Sequence, residues 1–151
     1  MQLLTVRLAD GRFAFRATDV REIVRAVAIA PLPAAGAIVE GAINVRGQVV
    51  PVLDLRARFG LPAEPLAIHH QLVIASSGGR DVAFRVDEAE DLIEVPDADI
   101  VAPDALTPAA RHVAGVAALS DGAVVIADLA AFLSRWESET LDDALAAESP
   151  A

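Results

Sequence analysis

Two stretches of this chain recur further along it, at offsets of 69 and 74 residues. At the first offset, Leu3–Val24 (LLTVRLADGRFAFRATDVREIV) lies over Leu72–Ile93 (LVIASSGGRDVAFRVDEAEDLI), and Ala14-Phe15-Arg16 falls on Ala83-Phe84-Arg85 without a gap. At the second, Gly41–Leu55 (GAINVRGQVVPVLDL) lies over Gly115–Leu129 (GVAALSDGAVVIADL), matching Gly41 to Gly115 and Asp54-Leu55 to Asp128-Leu129. Each half therefore reads as a hairpin, a short amphipathic segment, a variable connection, and a second hairpin ending in Asp-Leu. A duplicated unit of this size buries its apolar face against its own copy.

The segments inside the repeat are short, β-branched and bounded by turn residues, the pattern of strands. Their spacing suits small barrels or sandwiches, because the long crossover helices of βαβ units are missing. Asp10-Gly11 and Gly78-Gly79 are expected to supply the left-handed turn positions of the two first hairpins. Pro51 would remove a ladder donor, so it marks an edge strand or a bulge. Thr18 reads as the cap of a short helical segment through Arg25, with Val20, Ile23 and Val24 on one face. Asp54 and Asp128 can each cap a turn of helix, the second opening a C-terminal helix. Thr107-Pro108 reads as a further helix start.

With 151 residues, one compact domain or two very small ones that share a core are expected, folding without staples since there is no cysteine. Residues 1–70 hold eight arginines against six carboxylates, and residues 71–151 hold four against sixteen, so the net charge of −10 is unevenly spread. Such acidity disfavours nucleic acid and anionic membranes as partners. MQLLTVRLADGRF reaches charge and a turn too early for a signal peptide, and the longest uncharged run, residues 26–39, holds two prolines and a glycine. The expectation is a soluble intracellular protein with no membrane insertion.

Catalytic constellations are not legible. His69 and His70 are adjacent and would point to opposite faces of a strand, so they are not expected to share an ion. His112 has no ligand at helical spacing, and no nucleophile elbow or phosphate loop occurs. The repeat isolates a different residue. Arg46 has Ser120 as its counterpart, whereas Gly41 and Asp54 recur as Gly115 and Asp128. A residue required by the repeated fold should appear twice. Arg46 appears once, and arginine offers a planar donor fork suited to an interface.

The segment EGAINVRGQVVPVLDLRARFGLP, with VAFRVDEAEDLIEV and VAGVAALSDGAVVIADLAAFL downstream, resembles the CheW family of chemotaxis adaptors over about Leu3 to Leu133. The resemblance implies a mainly β fold of two pseudo-symmetric five-stranded, SH3-like β-barrels on a shared hydrophobic core, with a few short helices and a C-terminal helix. Residues 1–136 would form one such domain, with approximate repeats 3–59 and 72–133, and 137–151 an acidic, alanine-rich tail. It further implies a non-enzymatic adaptor without cofactor or metal. Such an adaptor joins the cytoplasmic tips of chemoreceptors (methyl-accepting chemotaxis proteins) to the regulatory domain of the histidine kinase CheA. Its place would be cytoplasmic, at membrane-associated receptor arrays, where ring assembly with CheA occurs. A similar scaffold in pilus movement or biofilm signalling is the alternative, and a small-molecule-binding barrel a more distant one.

Carried over by matching positions, the receptor-binding residues are Arg46, Asn44, Val20, Glu22 and Ile23, and Gly41 is assigned to the kinase contact. Each position also has a plainer reading. Val20 and Ile23 fit a core, and Glu22 fits a solvated partner for Arg21 or Arg25. Asn44 fits a residue pinning its own turn, and Gly41 a backbone requirement.

Overall fold

A computed structural model describes residues 1–25, 29–32, 39–77, 80–102 and 113–129. The expected Thr107-Pro108 helix start, the Gly78-Gly79 turn, the body of the C-terminal helix and the tail lie outside these residues. In chain order the strands are β1 (Gln2–Leu8), β2 (Gly11–Arg16), β3 (Val20–Arg25), β4 (Val39–Val45), β5 (Gln48–Leu53), β6 (Gln71–Ser77), β7 (Arg80–Val86), β8 (Glu88–Glu94), β9 (Ile100–Val101), β10 (Val113–Leu119) and β11 (Gly122–Ala127). Short 3-10 turns cover Ala17–Asp19 and Asp97–Asp99, and α1 (Leu55–Phe59) follows β5. Asp54 caps α1 as expected, its side chain accepting from the Ala57 N–H at 3.2 Å.

The strands form a six-stranded sheet in the order β8-β1-β2-β11-β10-β9 and a five-stranded sheet in the order β3-β6-β7-β5-β4. The duplication is written into the ladders. Leu3 pairs with Arg16 as Leu72 pairs with Arg85. Leu3 pairs with Ile93 as Leu72 pairs with Val24, and Ala14 lies beside Ile126 as Ala83 lies beside Val52. Each sheet thus takes strands from both halves of the sequence: β3, β4 and β5 complete the sheet begun by β6 and β7, while β8 to β11 complete the one begun by β1 and β2.

Three apolar clusters result. One fills the five-stranded sheet (Ile43, Val50, Val52, Leu72, Ile74, Ala83) and one the six-stranded sheet (Leu3, Ala14, Ala117, Val124, Ile126). The third lies between the sheets and contains Phe15 and Phe84, equivalent in the repeat, with ring centroids 5.4 Å apart. Alternation on each strand feeds two clusters at once, which is why so many residues of β1, β6 and β7 are buried.

Three local expectations are corrected. The segment from Thr18 to Arg25 is a 3-10 turn followed by strand β3, and its burial alternates along the chain. Val20, Ile23 and Val24 fit helical spacing, but Val20, Glu22 and Val24 fit period two, and the apolar edge of β6 selects the strand. Pro51 is in an interior strand. It faces Ala42, whose own N–H and C=O bond Ala30 at 2.8 and 2.9 Å, so no ladder donor is needed from β5 there. In the first hairpin the left-handed residue is Ala9, at φ 56°, instead of Gly11. The Ala9 N–H is held by Asp87 Oδ2 at 3.0 Å.

Candidate functional site

The β4–β5 hairpin turns in two residues, Arg46 at φ 50° and Gly47 at φ 85°. Two successive left-handed residues give the twist that antiparallel strands need, and the second is the place for glycine. Asn44 Oδ1 accepts from the Gly47 N–H at 2.8 Å, so Asn44 pins its own turn. The turn projects Arg46 into solvent, where its guanidinium takes both carboxylate oxygens of Glu22, with Nη1 to Oε2 at 3.1 Å and Nη2 to Oε1 as the second bond. Glu22 belongs to β3, at the opposite end of the five-stranded sheet, so this bidentate pair joins the two ends of that sheet. The Arg46 hydrogen bond and charge hold the Glu22 carboxyl below the usual glutamate range despite partial burial.

Arg46 and Glu22 form the rim of a groove of about 250 Å³, also lined by Arg21, Gln48 and Asp81, with Val45, Val50 and Ile74 as its apolar lining. The structure therefore brings together Arg46, Glu22 and, through the turn, Asn44. Val20 is half-buried and packs against the cluster between the sheets. Ile23 is 39% exposed and lies on the face of β3 away from Glu22. Gly41 sits at the bulge of the β4–β5 ladder. A Cβ there would lie 2.1 Å from the Ala30 carbonyl oxygen, so the close approach of two backbones requires glycine.

Sequence reasoning missed a second polar cluster. Arg56, His70, Arg85 and Asp87 are all buried, with Glu40 and Glu64 beside them. Arg56 binds Asp87 Oδ1 at 2.6 Å and Glu64 Oε2 at 2.7 Å, while Arg85 takes Glu40 at 2.8 and 3.0 Å and the Glu64 carbonyl at 2.7 Å. Burial works to raise the Asp87 carboxyl, but the Arg56 hydrogen bond and charge, with the Ala9 N–H, outweigh it and bring the group down. The recurrence of Arg16 as Arg85 was the available signal, yet it cannot tell which copy is buried.

His69 and His70 are in a turn before β6, not in a strand, and their rings meet edge to face at 4.6 Å. With Glu64 they bring ligand atoms within 4.8 Å of one another. The chemistry nevertheless disfavours a metal. His70 Nδ1 accepts from the Ala67 N–H at 3.2 Å and faces an Arg85 nitrogen at 3.0 Å, and a guanidinium can only donate. The ring hydrogen is therefore on Nε2, where a cation would need the lone pair. Burial and then Arg85 push the His70 pKa down, keeping the ring neutral.

The sequence pattern of the CheW-like domain matches residues 2–137. The chain belongs to the CheW-like family. It is 33% identical over 140 residues to a chemotaxis protein CheW of Rhizobium meliloti (strain 1021), covering 91% of this chain and 90% of that protein. It is 31% identical over 114 residues to protein FrzA of Myxococcus xanthus, covering 73% and 69%. Among solved structures, the scaffolding protein TtCheW from Thermoanaerobacter tengcongensis superposes with a TM-score of 0.78 at 28% identity, covering 85% of this chain and 88% of that one. Mainly β architecture, two sheets and pseudo-symmetry are thus those of a CheW-like fold. No helix among the described residues is long and apolar enough to cross a membrane.

Proposed function

We propose that this CheW-like chain is a non-enzymatic coupling adaptor of chemotaxis signalling, joining the cytoplasmic tip of a chemoreceptor to the regulatory domain of the histidine kinase CheA at membrane-associated arrays. The observation that carries the reading is the Arg46–Glu22 groove: a mainly charged and polar lining, presented by a residue that the fold of the repeat does not demand. Such a lining suits a helical hairpin, whose carboxylates and helix-end carbonyls accept from a guanidinium. Val20 contributes by holding β3 against the core, and Asn44 by fixing the turn that aims Arg46. Ile23, on the other face of β3, contributes at the margin. Gly41 acts on the kinase contact only through the backbone path it permits.

Binding to a receptor-tip fragment and to the kinase regulatory domain, measured separately by calorimetry, tests the reading. Arg46→Ala is expected to weaken tip binding by about 2 kcal/mol or more, roughly thirtyfold, and to leave kinase binding unchanged. Binding of the wild-type chain to neither fragment would overturn the assignment.

A further inference from the structure

The connection between α1 and β6 is fastened almost without apolar contact. Leu61 still packs against the cluster between the sheets, but no residue of 62–69 is buried, and its two large apolar side chains face outward, Leu66 40% and Ile68 96% exposed. The next residue, His70, is 1% exposed. Polar contacts hold the segment in between. Arg56 donates to the Pro62 carbonyl at 3.1 Å and pairs with the Glu64 carboxylate at 2.7 Å, and Arg85 donates to the Glu64 carbonyl at 2.7 Å. At the far end Ala67 and His70 close a turn on each other. The His70 N–H donates to the Ala67 carbonyl at 3.0 Å, and the Ala67 N–H to His70 Nδ1 at 3.2 Å.

That end rests on one lone pair. Nδ1 accepts from Ala67 and faces Arg85 Nη1 at 3.0 Å, while the buried Nε2 hydrogen has no acceptor among the described residues. An imidazolium carries hydrogen on both nitrogens and accepts at neither. Protonated, His70 would set a donor and a positive charge against the Arg85 guanidinium from β7, with His69 in the connection adding a like charge. Two carboxylates pull the other way from the Nε2 side, Glu64 Oε1 at 3.6 Å and Asp87 Oδ1 at 3.7 Å. Both are already bound by Arg56 of α1, and Glu40 of β4 is bound by Arg85 itself.

We propose that residues 62–70 form a pH-operated latch: protonation of His70 drives Arg85 from Nδ1 and from the Glu64 carbonyl, so that the connection opens while both sheets stay folded. The segment that opens buries few apolar groups, so it opens at far lower cost than β6 or β7 unfolds. The open segment takes up a proton near the ordinary histidine value of about 6.5, the closed one only at lower pH, where burial and Arg85 no longer suffice to keep the ring neutral. The latch is therefore shut above that value and loosens as pH falls below it.

Hydrogen exchange of the full chain, read residue by residue by NMR at about pH 7.5 and pH 5.5 and corrected for the pH dependence of the intrinsic rate, tests the proposal. Protection of the Ala67 and His70 amides is expected to fall by about tenfold between the two, while Val73, Ile74 and Phe84 in β6 and β7 keep theirs. His70→Asn, with an acceptor near Nδ1 and no proton to take up, should abolish the fall at Ala67. His69→Asn, at the exposed neighbour, should leave it in place. Wild-type protection that is unchanged at Ala67 and His70 overturns the proposal. So does a loss shared equally by β6 and β7, which is unfolding of the sheet, or a fall at Ala67 that persists in His70→Asn.

Discussion

Arg46 occupies a left-handed position that glycine or asparagine fills at lower cost, by about 1 kcal/mol. The side chain, not the turn, is what the position retains. Arg46→Gly should therefore leave the melting temperature unchanged or slightly higher while weakening the proposed binding to a receptor tip about as much as Arg46→Ala does, a separation that thermal unfolding and binding calorimetry read together. His70 makes the opposite kind of prediction. Its folded pKa lies below the unfolded one, so the unfolded chain takes up more protons as pH falls through the ordinary histidine range. Stability is fully present above that range and is lost as pH falls towards the folded pKa. The melting temperature should drop between about pH 7.5 and pH 5.5. His70→Asn, which keeps an acceptor near Nδ1, should flatten that part of the profile.

Among the elements, the two glycines matched by the repeat differ in how tightly they are held. A Cβ at Gly41 would meet the Ala30 carbonyl at 2.1 Å, whereas at Gly115 it would meet the Val101 carbonyl and an Ile100 methyl at 3.0 Å. Gly41→Ala should cost about 3 kcal/mol or more and Gly115→Ala clearly less, measured by urea unfolding. The need for glycine at both sites was legible because it recurs. Strand β3 was not, because six residues fit both periods and only β6, almost fifty residues away, decides between them. The Arg56–His70–Arg85–Asp87 cluster was illegible for the same reason: its members come from α1, β7 and the connections beside them, and no local pattern announces their meeting.

For the whole molecule, the exchange of strands between the sheets makes the halves interdependent. The offsets revealed the hairpins and their registers. They said nothing about which hairpin each strand would join, because an equivalent strand from either half satisfies the same pattern. Neither sheet is complete without both halves, so unfolding should be a single cooperative transition, with coincident midpoints by circular dichroism and by scanning calorimetry. Residues 1–70 and 71–151, produced as separate fragments, should be unfolded alone and acquire β structure when mixed.

One pair of contacts shows what joining the halves makes available. Arg21 binds Asp81 at 3.3 Å across one sheet, and at the equivalent place in the other sheet Arg12 binds Glu90 at 3.4 Å, with acid and base exchanged. Two identical half-chains, each lending its strands to the other, would have to repeat the same pair in the same sense. A single chain carries the two copies as separate text. It can edit one without touching the other, and so one end of the molecule becomes distinguishable from its twin.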